Sequence, residues 1–226
     1  MIWHDKQLVF IHIPKCGGTS INAVKNYDYS GKVYRVKNKD HVYKTWHGGM
    51  QFLHERYVGR NQDIQVVHNM HATYDQYAFT LRGYDYISQV RNPYTRFASA
   101  WKHLRSMDLV TTEFEQWAPS AIDAISHGEW AATLDKPNIY INYLMYSPQF
   151  DGSLLFKPQW HWVREDVEIH KLEEKTIWKR LGIEEARFNV SNKKYKVTWN
   201  QEILDLIYKF YEKDFRQFGY SKQFSI

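Results

Sequence analysis

The 226-residue chain has only one cysteine, Cys16, so it cannot form an intrachain disulfide. It also lacks any run that approaches the ~20 consecutive apolar residues of a membrane-spanning helix. Its first residues lack the basic start and apolar middle of a secretory signal. These absences argue against a disulfide scaffold and a membrane span. We expect a cytoplasmic protein if Met1 is the native start, and otherwise a luminal domain whose anchor has been removed.

Composition and charge narrow the class further. Apolar residues make up 43% of the chain and charged residues 24%, which is ordinary for a globular protein and argues against global disorder. The length suits one domain over residues 1–226. The net charge is +5, and residues 1–70 hold ten Lys or Arg but five Asp or Glu. This local excess favours an anionic ligand, although a solvated basic surface explains it as well.

Short apolar runs alternate with helical patterns, which favours an α/β fold with a mainly parallel sheet. In such sheets, ligands bind at the carboxyl ends of the strands. The pattern also predicts a short helix that ends near Tyr57 and one final helix over 203–215. The predicted strands are 8–13, 64–68, 84–91 and 167–172.

A glycine-containing turn follows the first predicted strand and has the sequence Lys15-Cys16-Gly17-Gly18-Thr19-Ser20. The two glycines let the backbone approach a ligand closely. The helix that follows adds N–H groups and the positive end of its dipole, and Lys15 adds a full charge. Thr19 and Ser20 add hydroxyl donors near the predicted N-cap. The turn therefore predicts a phosphate site, with a glycine turn that holds no ligand as the alternative.

A second candidate anion site begins at Arg91, which ends a predicted strand. Asn92 caps the next helix and Pro93 begins it, so Ser99 lies about two turns into that helix. An arginine fork and a hydroxyl can bind one phosphate from two sides. Spacing alone favours a simpler interpretation, in which Arg91 pairs with a nearby acidic residue and Ser99 lies on the surface of the helix.

The two segments together resemble the donor-binding motifs of sulfotransferases that use 3′-phosphoadenosine 5′-phosphosulfate (PAPS). Residues 10–20 are similar to the 5′-phosphosulfate loop, especially in the branch of heparan sulfate 2-O-sulfotransferases and bacterial carbohydrate sulfotransferases. Residues 90–100 resemble the 3′-phosphate segment of that branch. Weaker similarity continues through 157–160, 169–173, 189–192 and 208–220.

This resemblance implies a P-loop-like sulfotransferase fold, with a central parallel sheet flanked by helices. It implies that residues 15–20, Cys16 included, bind the phosphosulfate end of PAPS and that Arg91 and Ser99 bind the 3′-phosphate. We expect Cys16 to be a small loop residue rather than a nucleophile. No metal is required, because Lys15 and backbone donors supply the positive field.

A base must take the proton of the acceptor hydroxyl as the S–O bond forms, and histidine suits neutral pH. In the resembling family, a catalytic histidine follows this strand shortly before an aromatic residue. His71, followed by Tyr74, fits that position, and His68 is the alternative. A metal site at His68 and His71 has no third ligand at a recognisable spacing. His12, inside the first strand, is expected to be a buried histidine with satisfied hydrogen bonds.

The sequence therefore predicts an enzyme that moves a sulfuryl group from PAPS to a hydroxyl, with a carbohydrate as the expected acceptor. Lys15 is expected to bind the donor and to stabilise the leaving phosphate. A kinase would need Mg²⁺ and a Gly-Lys-Ser/Thr ending that the loop lacks. A non-catalytic polyanion or nucleic-acid binder would use the basic aromatic segment 31–47. Residues 31–63 match nothing in the family, so the identity of the acceptor stays open.

Overall fold

The fold is described from a computed structural model. The chain divides into two compact units, Met1–Val90 with His161–Phe188 and Arg91–Trp160 with Asn189–Ile226. A single sulfotransferase domain over 1–226 stays a prediction. The residues whose structure is described are 2–3, 6–24, 44–47, 50–53, 55–58, 65–68, 71–78, 81–136, 152–185 and 194–224.

Strands occur in the first unit. They are β1 (Ile2–Trp3), β2 (Leu8–Ile11), β3 (Lys44–His47), β4 (Met50–Leu53), β5 (Glu55–Val58), β6 (Gln65–His68), β7 (Asp85–Val90) and β8 (Glu168–Lys171). The α-helices are α1 (Gly18–Val24), α2 (Tyr74–Ala78), α3 (Pro93–Ser106), α4 (Phe114–Ser126), α5 (Thr176–Leu181), α6 (Gln201–Phe210) and α7 (Glu212–Gln217).

The main sheet of the first unit has the order β1-β2-β7-β8. β2, β7 and β8 are parallel, and β1 pairs antiparallel with β2. Every residue of β2 is buried, as expected for a short apolar strand inside a parallel sheet. The three parallel strands and their flanking helices confirm the predicted α/β fold. They also place the residues that follow β2 at the carboxyl end of the sheet.

An apolar cluster of described residues packs against one face of this sheet. Ile21 of α1 and Ile177 of α5 are both fully buried against β2 and β7. The other members of the cluster are Leu8, Phe10, Ile87, Trp178 and Leu181. Burial of this area holds α1 against the sheet, and thus fixes the loop that joins β2 to α1.

The predicted helix ending near Tyr57 is wrong, because that region forms strands. β3 pairs antiparallel with β4, and β5 pairs antiparallel with β6. The dipeptide Gly48-Gly49 lies between β3 and β4, and such dipeptides favour tight hairpins. The predicted strand at 64–68 is confirmed as β6, but its partner is β5 rather than the parallel sheet.

The second unit is helical around one aromatic-rich core. Phe97 and Trp101 of α3, Phe114 of α4 and Ile207 of α6 are almost fully buried in it. The predicted final helix is broken at Tyr211, which separates α6 from α7. The hydroxyl of Tyr211 donates to the Phe156 carbonyl oxygen at 2.7 Å. No helix within the described ranges is long and apolar enough to cross a membrane.

Candidate active site

The loop between β2 and α1 has an unusual backbone. Lys15 has a φ of +66° and Gly17 has a φ of +83°, both in the left-handed region. A lysine rarely adopts this conformation, and such strain is characteristic of ligand-binding turns. Two backbone hydrogen bonds close the loop, from Cys16 N–H to the Ile13 oxygen and from Ser20 N–H to the Gly17 oxygen.

The loop residues fall largely where the sequence predicted a turn. Thr19 and Ser20 lie in the first turn of α1, which begins at Gly18, rather than at the N-cap. Cys16 is buried, and its thiol donates to the Pro14 carbonyl oxygen at 3.6 Å. This contact agrees with a packing role for Cys16 and gives no support to a nucleophile.

Both loop glycines lie against buried polar side chains. A Cβ on Gly17 would be 2.9 Å from Leu172 Cδ1 and 3.0 Å from Gln89 Oε1. A Cβ on Gly18 would be only 2.1 Å from His12 Cδ2. Glycine is therefore required at position 18 by contact with a ring, in addition to any need for close approach of a ligand.

Gln89 and His12 both carry polar atoms without partners in the described part of the chain. They are the amide oxygen and nitrogen of Gln89 and Nδ1 of His12. Gln89 is 1% exposed and His12 is 5% exposed. Burial of His12 was predicted correctly, but its hydrogen bonds are not all satisfied, so that expectation was wrong. Buried unpaired polar groups are uncommon, and each of them needs a structural or functional explanation.

The imidazole of His12 is held in its neutral form. Burial is the main cause that lowers its pKa well below 6.5, and the charges of His71 and Lys15 lower it further. Its ring centroid lies 4.5 Å from that of His71, with the two planes tilted by 50°. His12 therefore packs between the loop glycine Gly18 and the candidate base.

His71 has a defined tautomer. Its Nδ1 lies 2.8 Å from the backbone oxygen of His12, and a carbonyl oxygen can only accept. Nδ1 therefore donates its proton, and the neutral ring carries its lone pair on Nε2. Trp162 holds the same segment, because its Nε1 donates to the His71 oxygen at 3.2 Å and its carbonyl accepts from Tyr74 N–H at 2.8 Å.

The structure thus brings the Lys15 loop and His71 together through His12.

The alternative base, His68, is the last residue of β6. Among the described residues, no group of three or more His, Cys, Asp or Glu could hold a metal ion. The basic segment 31–43 and residues 48, 49, 54, 59–64, 69 and 70 lie outside the described residues, and so do the side chains of the strands between 44 and 68.

The candidate 3′-phosphate residues lie in the second unit. Arg91 follows β7 directly, and its Nε donates to Thr95 Oγ1 at 3.0 Å. Asn92 caps α3 as predicted, because its side chain accepts from Tyr94 N–H at 3.0 Å. Ser99 lies on α3 and is 5% exposed. The predicted strand–cap–helix order at this segment is therefore confirmed, while its ligand stays a prediction.

Lys102 is a further candidate that the motif comparison missed. It lies three residues after Ser99 on α3, and residues at that spacing share a helix face. Burial lowers its pKa, and the positive charge of Arg91 lowers it further. The positive charges of Lys102 and Arg91 therefore lie close enough to repel each other. The signal in the sequence was the i,i+3 spacing of Ser99 and Lys102.

Comparison with known proteins agrees with this geometry. The model of a family described as the sulfotransferase family matches residues 1–137, which is more than half of the chain. The match spans the loop, His71, Arg91 and Ser99. No curated protein and no solved structure matches the chain.

Proposed function

The chain belongs to the sulfotransferase family, and we propose that it transfers a sulfuryl group from PAPS to a hydroxyl group of a carbohydrate. The observation that carries this proposal is the family match across the left-handed loop that contains Lys15 and Gly17. The carbohydrate acceptor rests on the similarity of residues 10–20 to the branch that sulfates heparan sulfate.

The loop has the chemistry that the phosphosulfate end of PAPS requires. Lys15 supplies a positive charge, and the hydroxyls of Thr19 and Ser20 supply donors in the first turn of α1. The left-handed φ of Gly17 shapes the turn that carries these groups at the carboxyl end of β2. We assign 15–20 to this end of the donor, with Lys15 also stabilising the charge that develops on the leaving phosphate.

The 3′-phosphate is assigned to Arg91 and Ser99. An arginine can bind a phosphate through two parallel N–H···O hydrogen bonds, and a lysine cannot form this two-point arrangement. A phosphate read in this way distinguishes PAPS from donors that lack a 3′-phosphate. Lys102 adds charge on the same helix face as Ser99.

His71 is assigned as the general base. Its Nε2 takes the proton of the acceptor hydroxyl while the acceptor oxygen forms a bond to sulfur. The bond from sulfur to the bridging phosphate oxygen breaks, and its electron pair leaves with adenosine 3′,5′-bisphosphate. The Nδ1–H bond to the His12 oxygen keeps the lone pair on Nε2 throughout.

Thermal unfolding with three ligands tests the donor assignment. Adenosine 3′,5′-bisphosphate at one hundred times its Kd should stabilise the protein by about 2.7 kcal/mol. For 226 residues this corresponds to a rise in Tm of roughly 5–10 °C. Lys15→Ala should abolish most of the rise, and the exposed Lys179→Ala is the matched control. Stabilisation by ATP with Mg²⁺ alone would indicate a kinase, and by heparin or DNA alone a polyanion binder.

A further inference from the structure

Gln159 makes a two-point contact with the backbone of Arg91. Its Oε1 accepts from the Arg91 N–H at 2.8 Å, and its Nε2 donates to the Arg91 carbonyl oxygen at 2.8 Å. The side chain of Gln159 is fully buried. One amide therefore pairs with both main-chain polar groups of a single residue, as a neighbouring strand would.

Asp214 in turn holds the segment that carries Gln159. Its two carboxylate oxygens accept from Gln159 N–H at 2.7 Å and from Trp160 N–H at 2.9 Å. Asp214 is fully buried, which raises the pKa of its carboxyl, while the N–H groups of Gln159 and Trp160 and the charge of Arg96 act in the opposite direction. Lys213, the preceding residue, places its Nζ 3.7 Å from the centre of the Trp160 ring. A chain of bonds therefore runs from Asp214 through Gln159 to Arg91.

We propose that Gln159 is a positioning residue that sets recognition of the 3′-phosphate by fixing the backbone of Arg91, with Asp214 holding Gln159 in place. This inference rests on the proposed function. Neither Gln159 nor Asp214 lies in the part of the chain that the family model matches.

The physical reason is the geometry that an arginine needs. Two parallel N–H bonds to a phosphate require the guanidinium plane to be set within a narrow range of angles. The Gln159 contact fixes the backbone of Arg91, and therefore the position of its Cα. The hydrogen bond from Arg91 Nε to Thr95 Oγ1 fixes the plane of the guanidinium group. Without the Gln159 side chain, the backbone of Arg91 loses both hydrogen bonds, and its guanidinium group is no longer held in the orientation that binds the phosphate.

Calorimetry with two nucleotides tests the inference. Gln159→Met removes both bonds at nearly constant volume and should raise the Kd of adenosine 3′,5′-bisphosphate about tenfold. The Kd of adenosine 5′-phosphate should change by less than about threefold, because Arg91 does not contact that ligand. Gln159→Glu keeps an acceptor for the Arg91 N–H, so its effect should be intermediate. Gln116→Met, at an exposed glutamine of α4, is the matched control.

A double-mutant cycle separates positioning from general stability. In an Arg91→Ala background, Gln159→Met should cause almost no further loss of bisphosphate affinity. Equal loss for both nucleotides, or full additivity with Arg91→Ala, would overturn the inference. If Gln159→Met does not fold, Gln159→Glu decides by the same comparison. A wild-type protein that binds neither nucleotide would overturn the proposed function itself, whereas wild-type selectivity that survives Gln159→Met would overturn only the role of Gln159.

Discussion

The smallest feature on which the chemistry depends is the proton of the His71 ring. The His12 carbonyl oxygen fixes that proton on Nδ1 and leaves the basic lone pair on Nε2. Spacing relative to β6 and Tyr74 identified His71 as a candidate, but spacing gives no information about tautomers. The partner that sets the tautomer is a main-chain atom 59 residues away, so only the fold could reveal it.

Replacing the base should separate turnover from donor binding. We expect His71→Ala to lower kcat by about 10²–10⁴-fold, the usual range for a positioned general base. The Kd of adenosine 3′,5′-bisphosphate should barely change, because Lys15, Arg91 and Ser99 are intact. His68→Ala is the comparison, measured for turnover and for donor binding. A nearly normal His71→Ala enzyme beside an inactive His68→Ala enzyme would transfer the role to His68.

The buried His12 predicts a specific pH dependence of stability. Because its folded-state pKa lies well below 6.5, the unfolded chain binds a proton that the folded chain does not as the pH falls below 6.5. The free energy of unfolding should therefore decrease towards acid pH, by up to about 1.4 kcal/mol per pH unit until the folded pKa is reached. His12→Gln should remove this contribution in urea unfolding at a series of pH values.

The control for this measurement is His127→Gln, which removes an exposed imidazole and leaves His12 in place. That variant should keep the acid-dependent loss of stability. If His12→Gln and the wild type lose stability in parallel between pH 6.5 and more acid conditions, then His12 is not held neutral in the folded protein.

The contact between Gly18 and His12 gives a test of the loop. Gly18→Ala places a methyl group 2.1 Å from His12 Cδ2, which is a steric clash. Overpacking of this kind lowers the free energy of unfolding by about 1–3 kcal/mol. We expect lower stability and weaker binding of adenosine 3′,5′-bisphosphate, measured by thermal unfolding and calorimetry. The double variant Gly18→Ala with His12→Ala removes the clash and should recover part of the donor affinity. No recovery would mean that Gly18 is needed for another reason, such as contact with the donor.

Among the helices and strands, α3 carries the clearest functional arrangement. Its cap at Asn92 was predictable, because a capping residue followed by proline is a strong local signal. Lys102→Met should raise the Kd of adenosine 3′,5′-bisphosphate by about threefold to tenfold, since it removes a charge on the face of Ser99. The Kd of adenosine 5′-phosphate should stay close to that of the wild type. Lys209→Met, at an exposed lysine of α6, is the control, and equal effects of the two variants would exclude a local role for Lys102.

Sequence patterns predicted helices and strands correctly where a single feature, such as an apolar run or a capping residue, dominated the segment. The apolar run of β2 and its glycine turn identified a strand, a loop and a helix in the right order. The strands β4 and β5 were missed, because Gly48-Gly49 was interpreted as the end of a loop before a helix. The break at Tyr211 was also missed, since the apolar face of α6 continues to Phe215 across it.

At the level of the whole molecule, length and periodicity predicted an α/β protein, and the three parallel strands confirm this. They did not predict the two compact units, whose boundaries fall after Val90, Trp160 and Phe188. Gln159 and Asp214 lie 55 positions apart in the sequence, so their bond had no local signal. The acceptor could not be predicted, because no acceptor-binding motif was recognised in residues 31–63, although the family model spans them.

The central claim is sulfuryl transfer that depends on the Lys15 loop, and mass spectrometry of products tests it most directly. The wild-type protein is incubated with PAPS and a panel of glycans, with a lipid headgroup and a tyrosyl peptide as other hydroxyl acceptors. We predict a glycan that gains one sulfate, one adenosine 3′,5′-bisphosphate released per sulfate, and no product from Lys15→Ala. Product formed equally by Lys15→Ala, or no sulfated product from any acceptor with the wild type, would contradict the account.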